Sequence, residues 1–150
     1  MLAASRTTAE RLANTLSEGL EAGESLTGLQ DRVQASFLEG DGVTVSEARA
    51  AKIARTEVAQ AQTEGRIAGM AGSRVVKGYR FDKAVSACPI CDAVEAEVGG
   101  KVFGVEEAMF PKGSSIQATD GRTYKFDYQD TIVPVHPNCR CAVRAVLIDL

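Results

Sequence analysis

The sequence predicts an α+β protein: N-terminal helices, then a small antiparallel sheet with hairpins tied by a pair of zinc knuckles. Three observations predict it. Apolar residues recur at three- and four-residue steps as far as about Met70. Short β-prone runs separated by glycine turns follow. All four cysteines and the only histidine fall in two short windows of this second half. Helices first and strands later are the mark of α+β organisation. Residues 1–72 are expected to form the helical part and residues 73–150 the zinc-bound β part of one compact domain.

The first helix is read from Leu2, Ala9, Leu12, Ala13, Leu16 and Leu20, which make one apolar stripe. Gly23 and the Ser25–Gly28 stretch end it. A second, short helix carries Leu29, Val33 and Phe37 and stops at Gly40-Asp41-Gly42. The third is predicted to be the longest, near 44–70. Its start, Thr44-Val45-Ser46-Glu47, has the capping-box form, in which a hydroxyl and a carboxylate satisfy free backbone N–H groups reciprocally. Its apolar members, Ala48, Ala51, Ala54, Val58 and Ala61, are mostly small, so a neighbouring helix can approach closely. Gly69–Gly72 terminate it.

In the second half, residues 75–81 read as a strand. Gly99-Gly100 before Lys101-Val102-Phe103 suggests a hairpin turn. Asp120-Gly121, flanked by Ser115–Ala118 and Thr123–Tyr128, is a stronger one. Thr131–Val135 and Ala142–Ile148 complete the strands.

The bulk numbers narrow the function classes. A chain of 150 residues can bury a core without staples. Its net charge of -3 gives no general attraction to phosphate. No apolar run approaches the ~20 residues of a membrane span, and the N-terminus has no signal-peptide pattern. Without an export signal, four cysteines point to metal ligands or free thiols rather than disulfides.

The two windows are Cys88-Pro-Ile-Cys91 and His136-Pro-Asn-Cys139-Arg-Cys141. Each begins with a ligand, Pro, any residue, Cys. A knuckle needs two ligands about one tight turn apart, and Pro fixes φ at the turn's second position. Two knuckles supply the four donors of a closed tetrahedral zinc site. Cys88, Cys91, His136 and Cys139 make the two knuckles alike and are the expected ligands. Cys141 is the alternative fourth ligand, in place of His136. Catalytic zinc sites fare worse, because one histidine excludes the His-Glu-x-x-His class and does not precede the CxxC as in nucleotide deaminases. No βαβ setting surrounds Cys88, and no phosphate-cradling glycine loop is present. No catalytic residue is assigned and no enzyme is expected.

The string His136-Pro137-Asn138-Cys139-Arg140-Cys141 resembles the hallmark of the phage head-morphogenesis family related to the minor head protein of phage Mu. Ala54-Arg55-Thr56-Glu57-Val58-Ala59 is similar to that family's Ala-Arg-Thr-Glu helix. Residues 78–91, from Gly78-Tyr79-Arg80-Phe81 to the CxxC, resemble its strand-then-CxxC segment. The resemblance covers roughly residues 25–146. It implies a minor capsid protein in the virion, made in the host cytoplasm, that meets the portal protein and other capsid proteins and acts in head assembly or genome delivery. Weak non-specific DNA contact and no membrane partner are expected. The alternative is a zinc-ribbon-like nucleic-acid-binding module, which the acidic balance disfavours. Lys101, Lys112, Arg122, Lys125, Arg140 and Arg144 are interspersed with acidic residues and read as a mixed solvated face. Arg55 and Glu57, two apart on a helix, are expected to make separate contacts rather than one functional pair.

Overall fold

The computed structural model describes residues 6–127 and 130–148. Leu2 of the expected apolar stripe and Tyr128 of the expected hairpin lie outside them. The elements are α1 (Arg6–Glu21), α2 (Leu26–Asp41), α3 (Glu47–Ala71), β1 (Val76–Asp82), α4 (Pro89–Val98), β2 (Ser115–Gln117), β3 (Thr123–Lys125) and β4 (Ala142–Leu147). The protein is therefore α+β, with the longest described helix where the sequence places it. No described helix is long and apolar enough to cross a membrane.

The chain forms two compact units, Met1–Glu57 and Val58–Leu150. The division falls inside α3 rather than at the composition change near residue 72. The reason is that Ile67 and Met70, on the last turns of α3, pack against the core of the second unit.

In the first unit α1 and α2 make a helical hairpin. Ser25, expected only to end α1, is also the N-cap of α2: its side chain accepts from the Gly28 N–H at 3.2 Å. Leu16, Leu29, Val33, Val45, Ala50 and Ala54 are buried here. Polar links reinforce the pairing. The Arg11 guanidinium donates to Asp41 at 2.7 Å and to the Ser36 hydroxyl, and Thr8 donates to Asp41. Arg32 bridges Glu24 at 2.7 Å and Glu18 at 3.3 Å. The start of α3 differs in detail from the expected capping box. Ser46 rather than Thr44 is the cap, its hydroxyl accepting from the Arg49 N–H at 3.3 Å. The third helical residue is then an arginine, so the reciprocal carboxylate is missing.

In the second unit β1 and β4 pair antiparallel, with Tyr79 opposite Ala145 and Phe81 opposite Val143. β2 and β3 form the hairpin expected at Asp120-Gly121, and Gly121 supplies the positive φ of 85° the turn needs. One helix is unannounced by the sequence reading, and two expectations are corrected. Residues 89–98 are helical, because Pro89 occupies the first helical position and Cys91, Val94 and Val98 give one buried face. Gly99-Gly100 is not a hairpin turn but the end of that helix, the Gly99 N–H bonding to the Glu95 carbonyl at 2.8 Å. Thr131–Val135 is not a strand. Thr131 exchanges a single pair of bonds with Phe110, after which Pro134, lacking an N–H, cannot continue a ladder.

The core of this unit joins Tyr79, Phe81, Val94, Phe103, Phe110, Phe126 and Val143. The Phe110 and Phe126 rings stack with centroids 4.4 Å apart, Tyr79 stacks on Phe103 at 5.7 Å, and the Tyr79 hydroxyl donates to the Glu107 carbonyl. Burial, with the nearby Glu107 charge, pushes the Tyr79 phenol up to about 12, so it stays neutral. Cys91, Cys139 and Cys141 belong to this core, so the sulfur cluster is built into it.

Candidate metal centre

Each window folds as one tight turn. Cys88 is the N-cap of α4, in extended conformation, and its carbonyl accepts from the Asp92 N–H at 3.0 Å. Cys91 follows three residues on, within the first turn of the helix, so both sulfurs sit at the same helix end. In the second window the Cys139 N–H returns to the His136 carbonyl at 3.2 Å. Pro137 holds the second position of that turn. Asn138 holds the third at φ 65°, a left-handed conformation that asparagine tolerates better than most residues.

The turns face each other. The His136 Nε2 lies 3.1 Å from the Cys88 sulfur and 3.1 Å from the Cys91 sulfur. The Cys91 and Cys139 sulfurs are 3.7 Å apart. Two groups of donors result, Cys88–Cys91–His136 and Cys91–Cys139–Cys141, each with its ligand atoms within 4.8 Å of one another. Cys91 belongs to both. Cys91 and Cys139 are each 2% exposed, and no disulfide joins any of the four cysteines.

One edge of the cluster has the length a tetrahedral thiophilic ion requires. Zn–S bonds of about 2.3 Å put two sulfurs of a tetrahedron about 3.8 Å apart, close to the 3.7 Å between Cys91 and Cys139. A sulfur–nitrogen edge would be about 3.6 Å, so the ring must retreat by a few tenths of an ångström to admit an ion. Its Nδ1 lies 2.8 Å from the Pro137 carbonyl, which only accepts, so Nδ1 carries a proton and Nε2 is the nitrogen left to bind an ion once its own proton is lost. Tyr124 of β3 meets the imidazole edge-on, at 6.3 Å between centroids.

The electrostatics of the cluster favour ionisation of Cys139 and, more weakly, of Cys88. Hydrogen bonds from Cys141 and Cys91, outweighing burial, hold the Cys139 thiol far below its ordinary value. Hydrogen bonding to Cys139, then to Cys141, and burial push Cys91 up. Cys141 is raised to about 11, first by its bond to Cys139. Burial opposes ionisation of Cys88, but the Cys91 backbone N–H and the nearby His136 lower it. Burial would lower His136, yet its bonds to Cys139 and the Pro137 carbonyl raise it to about 9. Cys139 is thus the thiolate around which its neighbours keep protons.

All five donors named from sequence come together. Sequence reading missed the supports around them. The Ala84 N–H, just after β1, points at the Cys141 sulfur at 3.4 Å. Lys83 pairs with Asp92 of α4 at 2.9 Å, and Arg140 donates to the Ser86 carbonyl at 2.9 Å. The helix that places Cys91 was legible in Pro89 at its start and in the period of Cys91, Val94 and Val98. Three of the six cations considered for a nucleic-acid face are engaged locally: Arg122 by Asp120 at 2.6 Å, Arg144 by Asp82 at 3.0 Å, and Arg140 as above.

Compared with known families, residues 10–144 match the family described as phage Mu protein F like protein. The chain belongs to this family. The match spans both donor windows of the phage Mu protein F-like chain and the whole of α2, α3 and α4. Comparison with curated proteins and with solved structures gave no significant match.

Proposed function

We propose that this chain is a minor capsid protein of a tailed phage or prophage, and that it acts structurally at the portal vertex in head assembly or genome delivery. The observation that carries the reading is the family match over residues 10–144, since the family is one of phage head proteins. Its partners are then the portal protein and other capsid proteins. The net charge of -3 does not favour a nucleic-acid module, and Arg122, Arg140 and Arg144 bond to neighbouring acids or carbonyls.

The second part of the proposal is a structural zinc ion held by Cys88, Cys91, His136 and Cys139. Three thiolates and one imidazole suit zinc better than a hard cation. Four protein donors leave no open position, which favours a structural over a catalytic ion. The ion would clip α4 to the segment before β4 and so close the long stretch 92–135, whose closure costs entropy.

Copurification from a phage-producing host tests the functional part. The tagged chain is expected to bring down portal protein and to appear in purified heads. Tight, steeply salt-dependent binding of duplex DNA with no retention of portal would overturn it in favour of the nucleic-acid module.

A further inference from the structure

A closed tetrahedral site takes four ligands, and the two overlapping donor groups here hold five between them. Cys141 is the donor left over. It is buried, 7% exposed, and its sulfur is not idle: it receives the Ala84 N–H. The two donor groups overlap at Cys91, which lies with His136 in one and with Cys139 and Cys141 in the other. Cys91 therefore borders both candidates for the last position.

From this geometry we infer that Cys141 is a second, exchangeable fourth ligand, able to replace His136 on the ion without release of the metal. The inference rests on the metal reading above. Cys88, Cys91 and Cys139 stay bound in both arrangements. In one, the imidazole Nε2 completes the site. In the other, His136 withdraws and the Cys141 thiolate takes its place, losing its proton to water. The exchange makes the site more negative by one charge. Arg140 is placed to offset it, because it lines with Cys88, Cys91, His136 and Cys141 the same small cavity of about 120 Å³. That cavity also gives the ring somewhere to move.

Cobalt(II) substitution of the full chain tests this, because sulfur-to-cobalt charge-transfer absorption reports how many thiolates bind. The unaltered chain and Cys141→Ser are expected to show the same three-thiolate spectrum. His136→Ala is expected to keep one equivalent of cobalt, with charge-transfer intensity rising in proportion to four thiolates and an affinity within about tenfold of the unaltered chain. His136→Ala combined with Cys141→Ser should lose affinity by at least ~100-fold. His136→Asn, with circular dichroism on every variant, guards against mistaking a folding defect for loss of a ligand. Cobalt retained by the unaltered chain but lost from both His136 variants while they remain folded would overturn the exchange and leave the metal reading standing. A four-thiolate spectrum in the unaltered chain would also overturn it, since Cys141 would then be the ordinary ligand. No cobalt binding by the unaltered chain would overturn the metal reading and the exchange with it.

Discussion

Cys91 and Cys139, 48 residues apart in sequence, bring their sulfurs to 3.7 Å without forming a disulfide. One sulfur stands on the first turn of α4 and the other just before β4, so whatever links them links two elements of the core. The first prediction follows from this. The purified chain should hold one equivalent of zinc, and Cys88→Ser little. Cys88→Ser or Cys139→Ser should destabilise the second unit by several kcal/mol, the order expected on losing a structural metal. Cys141→Ser should cost much less. Metal analysis with denaturant unfolding checks all three, and a metal-free protein of undiminished stability would count against the site.

Metal binding should release protons. Three of the donors hold their protons: His136 is raised to about 9, and Cys91 and Cys141 are both raised. An ion needs deprotonated ligands, so it must displace those protons, and affinity should climb as pH rises from acid toward 9. Calorimetry in buffers of different ionisation enthalpy measures the count directly. An affinity flat between pH 5 and 8 would contradict this.

A third prediction concerns the helical hairpin. The Arg32 hydrogen bond holds Glu24 below its ordinary carboxylate value of 4.5, against opposing desolvation. A carboxylate with a depressed folded-state pKa contributes stability that is complete above its ordinary value and disappears as pH falls through the lowered one. Glu24→Gln should therefore flatten part of the acid-side loss of stability below about pH 4.5 and do little at pH 7 beyond removing the pair. The pair is partly exposed, so the effect should be small and should shrink further in high salt. Thermal melts from pH 3 to 7 at two salt concentrations would reveal it.

Much of the fold was legible because its signals are local. The periodic apolar faces of α2 and α3, the Asp120-Gly121 turn and the runs that became β1 and β4 each carry their own instruction within a few residues. The donor windows were legible for the same reason, since two ligands per turn is a short-range pattern. What was hidden was non-local or ambiguous. Cys88-Pro-Ile-Cys91 reads as a knuckle, and it is also the start of a helix, with Pro89 serving both roles. Residues 131–135 have strand-like composition, but a strand needs a partner, and Phe110 supplies one only at Thr131. Thr44 and Ser46 offer equally good hydroxyls for a cap, and only the packed position of α3 chooses between them.

A fourth prediction tests a contact that no local signal announced. A Cβ on Gly78 would lie 2.1 Å from the Phe103 carbonyl oxygen, a backbone atom that cannot step aside alone. Gly78→Val should force apart the pairing of Tyr79 with Phe103 and cost about 1–3 kcal/mol, the usual range for overpacking. Equilibrium unfolding checks it, and a variant as stable as the parent would show that the close approach is dispensable.

That approach has a consequence for how the protein behaves among its neighbours. At Tyr79, β1 is hydrogen-bonded to β4 on one side and to Phe103 on the other, at 2.8 Å in both directions of the Phe103 exchange. A strand covered on both flanks offers no template for a foreign strand. β4 has no second partner among the described strands, and it carries Arg144 at its centre, opposite Arg80. A charged side chain there discourages edge-to-edge stacking. The covered flank of β1 and the charge on β4 thereby make the two-stranded sheet a poor template for edge-to-edge pairing.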